Sequence, residues 1–251
     1  MSNFRQRLIN RERLVGTMVT LRDPAVAEIL VEIGFDWLFI DGEHGPLETG
    51  ELLGILQAVA GRVGCVVRIP QVDEGAIKTV LDLGADGIIV PQVNSAEQAA
   101  QVVQYARYAP VGSRGVGLAR AHGYGLKFQE YVESANENVA VIVQAEHIDA
   151  VNKIESILEV PGIDGIQLGP YDLSASMGKM GQVDDPEVVA AIKRVTDACN
   201  AVNMPLGMFG VSADPVAASI ADGYTLLCGS VDALLLIGAA KKMEQALRET
   251  K

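Results

Sequence analysis

A chain of 251 residues, 49% of them hydrophobic, can bury a large core; with no linker in sight, one domain over residues 1–251 is expected rather than two. Its 20 basic against 32 acidic residues give a formal charge of −12, which disfavours phosphate backbones and anionic lipid, so no nucleic acid and no membrane is expected as partner, and a small molecule is. No apolar signal core opens the chain, apolar runs such as Ala233 to Ile237 fall far short of the ~20 residues of a bilayer span, and Cys65, Cys199 and Cys228 sit apart in apolar segments; a cytoplasmic protein with reduced core thiols follows.

Short β-branched or aromatic runs alternate with longer amphipathic segments, the pattern of repeated βα units. The first strand is predicted near Val15 to Val19, followed by a helix that Asp23 caps, Pro24 opens and Gly34 stops. Asp36 to Ile40 is the second strand, with a helix over Leu47 to Ala60; Cys65 to Ile69 is the third, with a helix from Asp73 to Gly84. Gly87 to Val90 is the fourth, with a helix from Ser95 to about Ala106. The stretch from Tyr108 to Asn138, rich in glycine, reads as a long loop and a short helix, a candidate lid or interface. Ala140 to Gln144 is the fifth strand, with a helix over Ile148 to Val160. Gly165 to Leu168 is the sixth, then a Gly-rich loop and a helix from Asp185 to Val202. Leu206 to Phe209 and Tyr224 to Cys228 complete the set, with helices from Asp214 to Asp222 and from Val231 to Arg248. Eight such units point to a closed (β/α)8 TIM barrel, and the absence of GxGxxG after the first strand speaks against an open dinucleotide-binding sheet. The final helix holds ALLLIGAA, apolar nearly all round, which suits burial against another subunit.

Barrel enzymes build their sites at the C-terminal ends of strands. There this chain places Asp41, Glu43 and His44 after the second strand and Arg68 at the end of the third. Gln144 and Glu146 close the fifth, and Asp172 follows the sixth, while strand interiors are expected to carry no such groups. Glu146 and Asp172, on consecutive strands, can meet at one point, where two carboxylates need a cation or a shared proton. Without cysteine or obligatory histidine, they suit a hard divalent ion such as Mg2+ or Mn2+ that also accepts the two oxygens of a 2-oxo acid. Asp41 and His44 have the spacing for a carboxylate orienting an imidazole base, and Arg68 would set a fixed positive charge over a developing oxyanion. None of the eight lysines sits at a predicted strand end, so a Schiff-base mechanism lacks its nucleophile.

These pieces, FDWLFIDGEHGP, VRIP, GADGIIVPQV, ARYAPVGSRGVG, VQAEH and GIDGIQLGPYDLSASMG, resemble the HpcH/HpaI family of metal-dependent, pyruvate-type class II aldolases over nearly the whole chain. The resemblance implies Mg2+, Mn2+ or Co2+ bound at Glu146 and Asp172, a His/Asp dyad at His44 and Asp41, Arg68 polarising the keto oxygen, and Gln144 near the metal. It also implies a pyruvate carboxylate held on the backbone amides of Gly169 and Tyr171, and a hexamer, a trimer of dimers, with the last helix exchanged between subunits. Two departures stand out: Tyr171 replaces a small residue, and ARAHGYG with His122 replaces the ARAxxW form. The implied reaction is reversible cleavage of a 4-hydroxy-2-oxo acid to pyruvate, or a related 2-oxo acid, and an aldehyde. The alternatives are an acyl-CoA ester lyase of the citramalyl- or malyl-CoA type and a non-catalytic barrel that only binds.

Overall fold

The computed structural model describes residues 3–249. Eight strands pair in sequence order and close on themselves: β1 Leu14–Val19, β2 Trp37–Asp41, β3 Gly64–Arg68, β4 Gly87–Val90, β5 Ala140–Ala145, β6 Gly165–Leu168, β7 Leu206–Gly210 and β8 Leu226–Val231. Every pair is parallel, because a helical segment carries the chain back after each strand. This is the expected (β/α)8 barrel.

Two apolar layers hold it together. Inside, Leu14, Trp37, Phe39, Val66, Ile142 and Leu226 fill the barrel. Outside, the opposite faces of the strands pack against the helices, as Val67, Ile88, Val141 and Leu206 do against Ile55, Ile77, Val102 and Val195. Local signals place the helices well. Asp23 caps the helix Pro24–Ile33 through the Ala25 amide, and Gly34 ends it at φ +102°, a conformation that favours glycine. Asp73 and Ser95 cap Glu74–Asp82 and Ala96–Ala106 in the same way.

The structure departs from the sequence expectations in four places. A helix that periodicity did not announce, Phe4–Ile9, plugs the N-terminal end of the barrel. Its Phe4 ring lies 6.1 Å from Trp37 and against Gly64, where any Cβ would collide with it. The helix expected over Ile148 to Val160 is two short ones, Ile148–Asn152 and Ile154–Leu158. The Gly-rich loop after β6 begins as a helix, Pro170–Ser176, so Asp172 stands in a first helical turn.

The fourth departure concerns the segment from Tyr108 to Asn138, which is a loop ending in a helix, Phe128–Asn138, as expected, but does not reach the cavity as a lid would. Its first half is pinned to the outside of the barrel. Arg114 pairs with Asp82 at 2.6 Å and stacks on Tyr108, and Arg120 donates to the carbonyls of Leu56 and Leu83. His122 is buried, with its ring nitrogens on the backbone of Gly117 and Gly125. None of these residues lines the cavity at the strand ends, so this stretch is no lid in the structure. The last helix, Asp232–Glu249, leans outward: only Asp232 is buried, while Leu234, Leu235, Leu236, Ile237, Met243 and Leu247 are exposed.

Candidate active site

The C-terminal ends of the strands enclose a cavity of about 290 Å³. Its lining includes Asp41, His44, Arg68, Gln144, Gly169, Tyr171 and Asp172, together with Met18, Phe39, Gln167 and Phe209. Asp41 and Arg68 end neighbouring strands in register, which sets their side chains beside each other in the barrel mouth. The guanidinium grips the carboxylate through both oxygens: Nε donates to Oδ1 at 2.9 Å and Nη2 to Oδ2 at 2.8 Å, with Phe39 5.3 Å beneath. Burial opposes the charge on Asp41. Arg68 and the amides of Glu43 and His44 outweigh it and hold the carboxyl below the usual range.

This changes the expected dyad. The Asp41 carboxylate is taken by Arg68 and two backbone amides, not by the His44 ring. His44 is largely exposed at the cavity mouth, and its Nε2 lies 3.8 Å from Glu43, which therefore sits where a ring-orienting carboxylate would. Arg68 Nη1 reaches the same Glu43 at 3.2 Å and Gln144 Oε1 at 3.5 Å. Glu43 was expected at a strand end but had no assigned part; its place between Arg68 and His44 is set by the turn that Asp41 closes.

Glu146 is buried just past β5. Its Oε1 accepts from the Gln92 amide at 2.8 Å and its Oε2 from Gln144 Nε2 at 2.5 Å. Burial pushes its carboxyl up to about 7, and the nearby Asp172 and Glu43 carboxylates push the same way against the Gln92 amide and Arg68. Asp172 is exposed at the rim in the first turn of its helix. Gly169 lets this turn close over Glu146: a Cβ there would stand 2.7 Å from the Glu146 Cβ and 2.9 Å from its Oε2. The Gly169 amide is given to the Ala145 carbonyl at 3.2 Å, so the free amides of this turn are those of Tyr171 and Asp172. Tyr171 projects at the mouth beside Gly181, half-exposed.

Summed over this mouth, Asp41, Glu43, Glu146 and Asp172 face one arginine. Such an excess of negative charge in a half-buried cavity favours a cation. The donor set is two carboxylates rather than a closed cluster of three or more, and no such cluster of His, Cys, Asp and Glu exists among the described residues. That composition fits a hard divalent ion that keeps waters and takes further oxygens from a ligand, and fits poorly a structural zinc site. Gln167, in the interior of β6, was missed: strand interiors were read as apolar, and an inward amide at the last layer of the barrel breaks that pattern.

The sequence profile of the HpcH/HpaI aldolase/citrate lyase family matches residues 15–239. The chain is similar to a hydroxypyruvate/pyruvate aldolase of Cupriavidus necator, 39% identical over 98% of this chain and 92% of that one. It is 38% identical to a 4-hydroxy-2-oxovalerate aldolase of Rhodococcus jostii, over 94% of this chain and 92% of that one. Among solved structures, an HpcH/HpaI aldolase/citrate lyase family protein of Burkholderia cenocepacia superposes with a TM-score of 0.94, at 33% identity and 98% coverage of both chains.

Proposed function

The chain belongs to the HpcH/HpaI aldolase/citrate lyase family, and from that premise we propose the chemistry of its site: reversible retro-aldol cleavage of a 4-hydroxy-2-oxo acid to pyruvate, or a close 2-oxo acid, and an aldehyde. The enzyme is an aldehyde-lyase of the class II type. The observation that carries the reading is the excess of carboxylates around Arg68 at the mouth of a small cavity.

Glu146 and Asp172 would hold the divalent ion, Mg2+, Mn2+ or Co2+, which when bound supplies positive charge to the oxygens of the oxo acid. Arg68, fixed by Asp41, keeps Nη1 toward Glu43, Gln144 and the cavity, where it stabilises the enolate oxygen as the C3–C4 bond breaks. His44 takes the proton of the C4 hydroxyl, the C4–O bond becomes the aldehyde carbonyl, and the bond electrons pass to the enolate. Proton return to C3 then gives the oxo acid. Glu43 orients the His44 ring, the part first expected of Asp41. The free amides of Tyr171 and Asp172 would receive the substrate carboxylate, and the Tyr171 ring bounds the aldehyde side of the mouth.

No helix among the described residues is long and apolar enough to cross a membrane, in keeping with a cytoplasmic enzyme. The exposed leucines of Asp232–Glu249 support a homo-oligomer, a hexamer in which this helix is exchanged between subunits. An acyl-CoA ester would need cations for its phosphates, and among the described residues the only lysine or arginine lining the cavity is Arg68, already engaged by Asp41. Pyruvate release should be measured over a small panel of 4-hydroxy-2-oxo acids and of citramalyl- and malyl-CoA, with Mg2+ or Mn2+ present. Release from at least one hydroxy-oxo acid is expected. Turnover of the CoA esters alone, or of nothing, would contradict the reading.

A further inference from the structure

Gln144 on β5 and Gln167 on β6 are register partners on adjacent strands, and both line the cavity. Their circumstances differ. Gln144 is committed, with Nε2 on Glu146 and Oε1 facing Arg68. Gln167 is 2% exposed, and neither its Oε1 nor its Nε2 has a hydrogen-bond partner among the described residues. No other residue lining the cavity has a buried side-chain polar atom left in that state. An unpaired buried amide is destabilising, and a methionine would fill the same space without that cost. The barrel also makes room for it: its register partner on β7 is Gly207, where a Cβ would come within 2.1 Å of Oε1. A polar group kept at such cost beneath a ligand cavity is explained by a partner that arrives with the ligand.

The inference rests on the aldolase reading above, in which a 2-oxo acid enters with three distinguishable ends. Its carboxylate meets the Tyr171 and Asp172 amides and its oxo oxygen meets Arg68. The third carbon is what remains to face Met18, Phe39, Phe209 and Gln167. Three of these four suit a methyl group, and Gln167 alone offers a donor and an acceptor. We propose that Gln167 determines specificity for the oxo acid, its carboxamide recognising a hydroxyl on the third carbon. The preferred nucleophilic partner is then hydroxypyruvate rather than pyruvate, and the preferred cleavage substrate a 3,4-dihydroxy-2-oxo acid. Gln167 lines the cavity although its amide atoms are buried, and the outer side-chain torsions of glutamine are broad, so the carboxamide can turn toward a ligand.

The test is aldol addition of hydroxypyruvate and of pyruvate to one common aldehyde, with Mn2+, by the wild type, Gln167→Met and Gly207→Ala. The first variant removes the amide at nearly constant volume, and the second displaces it without removing it. The wild type should favour hydroxypyruvate. Gln167→Met should lower kcat/KM for hydroxypyruvate about ten-fold, mainly through KM, and leave pyruvate within about two-fold. Gly207→Ala should shift the ratio the same way, and it carries the test if Gln167→Met fails to fold. An unchanged donor ratio in a folded variant overturns the assignment of Gln167 alone. Failure of the wild type to use either donor overturns the aldolase reading itself.

Discussion

Each end of this barrel carries a buried arginine and aspartate, and the two are built differently. At the N-terminal end Asp164 meets two arginines: Arg5 grips both oxygens at 2.8 and 2.9 Å, and Arg107 adds a contact at 3.2 Å. The Val141 amide adds another, and Arg107 also donates to the carbonyls of Val139 and Gly162. The carboxylate there is fully met by donors, and the cluster ties the plugging helix to β5 and β6. At the C-terminal end one arginine serves Asp41 and Glu43, while Glu146 and Asp172 form no ion pair among the described residues. The same residue types make a clamp where donors balance acceptors. At the candidate site carboxylates are in excess.

Four changes would break or sharpen that contrast, in order of expected effect. Glu146→Gln removes one of the unbalanced charges with little change of shape, and pyruvate release should fall about a thousand-fold or more while the fold survives; a loss of only a few-fold would mean the excess charge is incidental. His44→Ala should cost about 10²–10⁴ in kcat with no change in melting temperature, because the ring is exposed and makes no buried contact. A drop in stability equal to the drop in rate would instead make His44 structural. At the opposite end Arg107→Met should lower stability by about 3 kcal/mol, since it withdraws one of the donors from buried Asp164, and leave kcat of the folded enzyme unchanged. Denaturant unfolding and rates corrected for folded fraction separate the two effects.

The smallest change concerns Asp86, half-buried below β4, whose carboxyl is pushed up to about 6 by burial against the Cys65 amide and Arg120. Its folded-state value stands above the ordinary 3.8, so the folded chain holds more protons than the unfolded one between about pH 4 and 6. This group therefore stabilises the fold at the acid end of that window, and its contribution is lost as pH rises through about 6. Asp86→Asn should flatten that slope by less than about 1 kcal/mol, given partial solvent screening. An unchanged pH dependence of unfolding would remove Asp86 from the balance.

Much of this was legible in the residues themselves. β4 and β6 fall where their apolar runs put them, and the caps at Asp23, Asp73 and Ser95 start their helices because local hydrogen bonding decides there. Phe4–Ile9 was hidden because its helix is a single short amphipathic turn and a half, held by one ring and by Arg5 at the barrel floor rather than by periodicity. The candidate site residues were nameable because strand ends are where barrels put chemistry, but their pairing was not. Asp41 lies three residues from His44 along the chain and 27 from Arg68, yet strand register gives it to Arg68. Gln167 went unread because its inward direction depends on barrel closure, which period-2 alternation in a four-residue strand does not reveal.

The excess of carboxylates is the central claim, and cation removal tests it most directly. Pyruvate release from a hydroxy-oxo acid should be followed in the wild type before and after exhaustive chelation, then on return of Mg2+ or Mn2+. Activity should vanish with the chelator and come back with the ion. Full turnover by the chelated enzyme would contradict the claim that Glu146 and Asp172 are there to hold a cation.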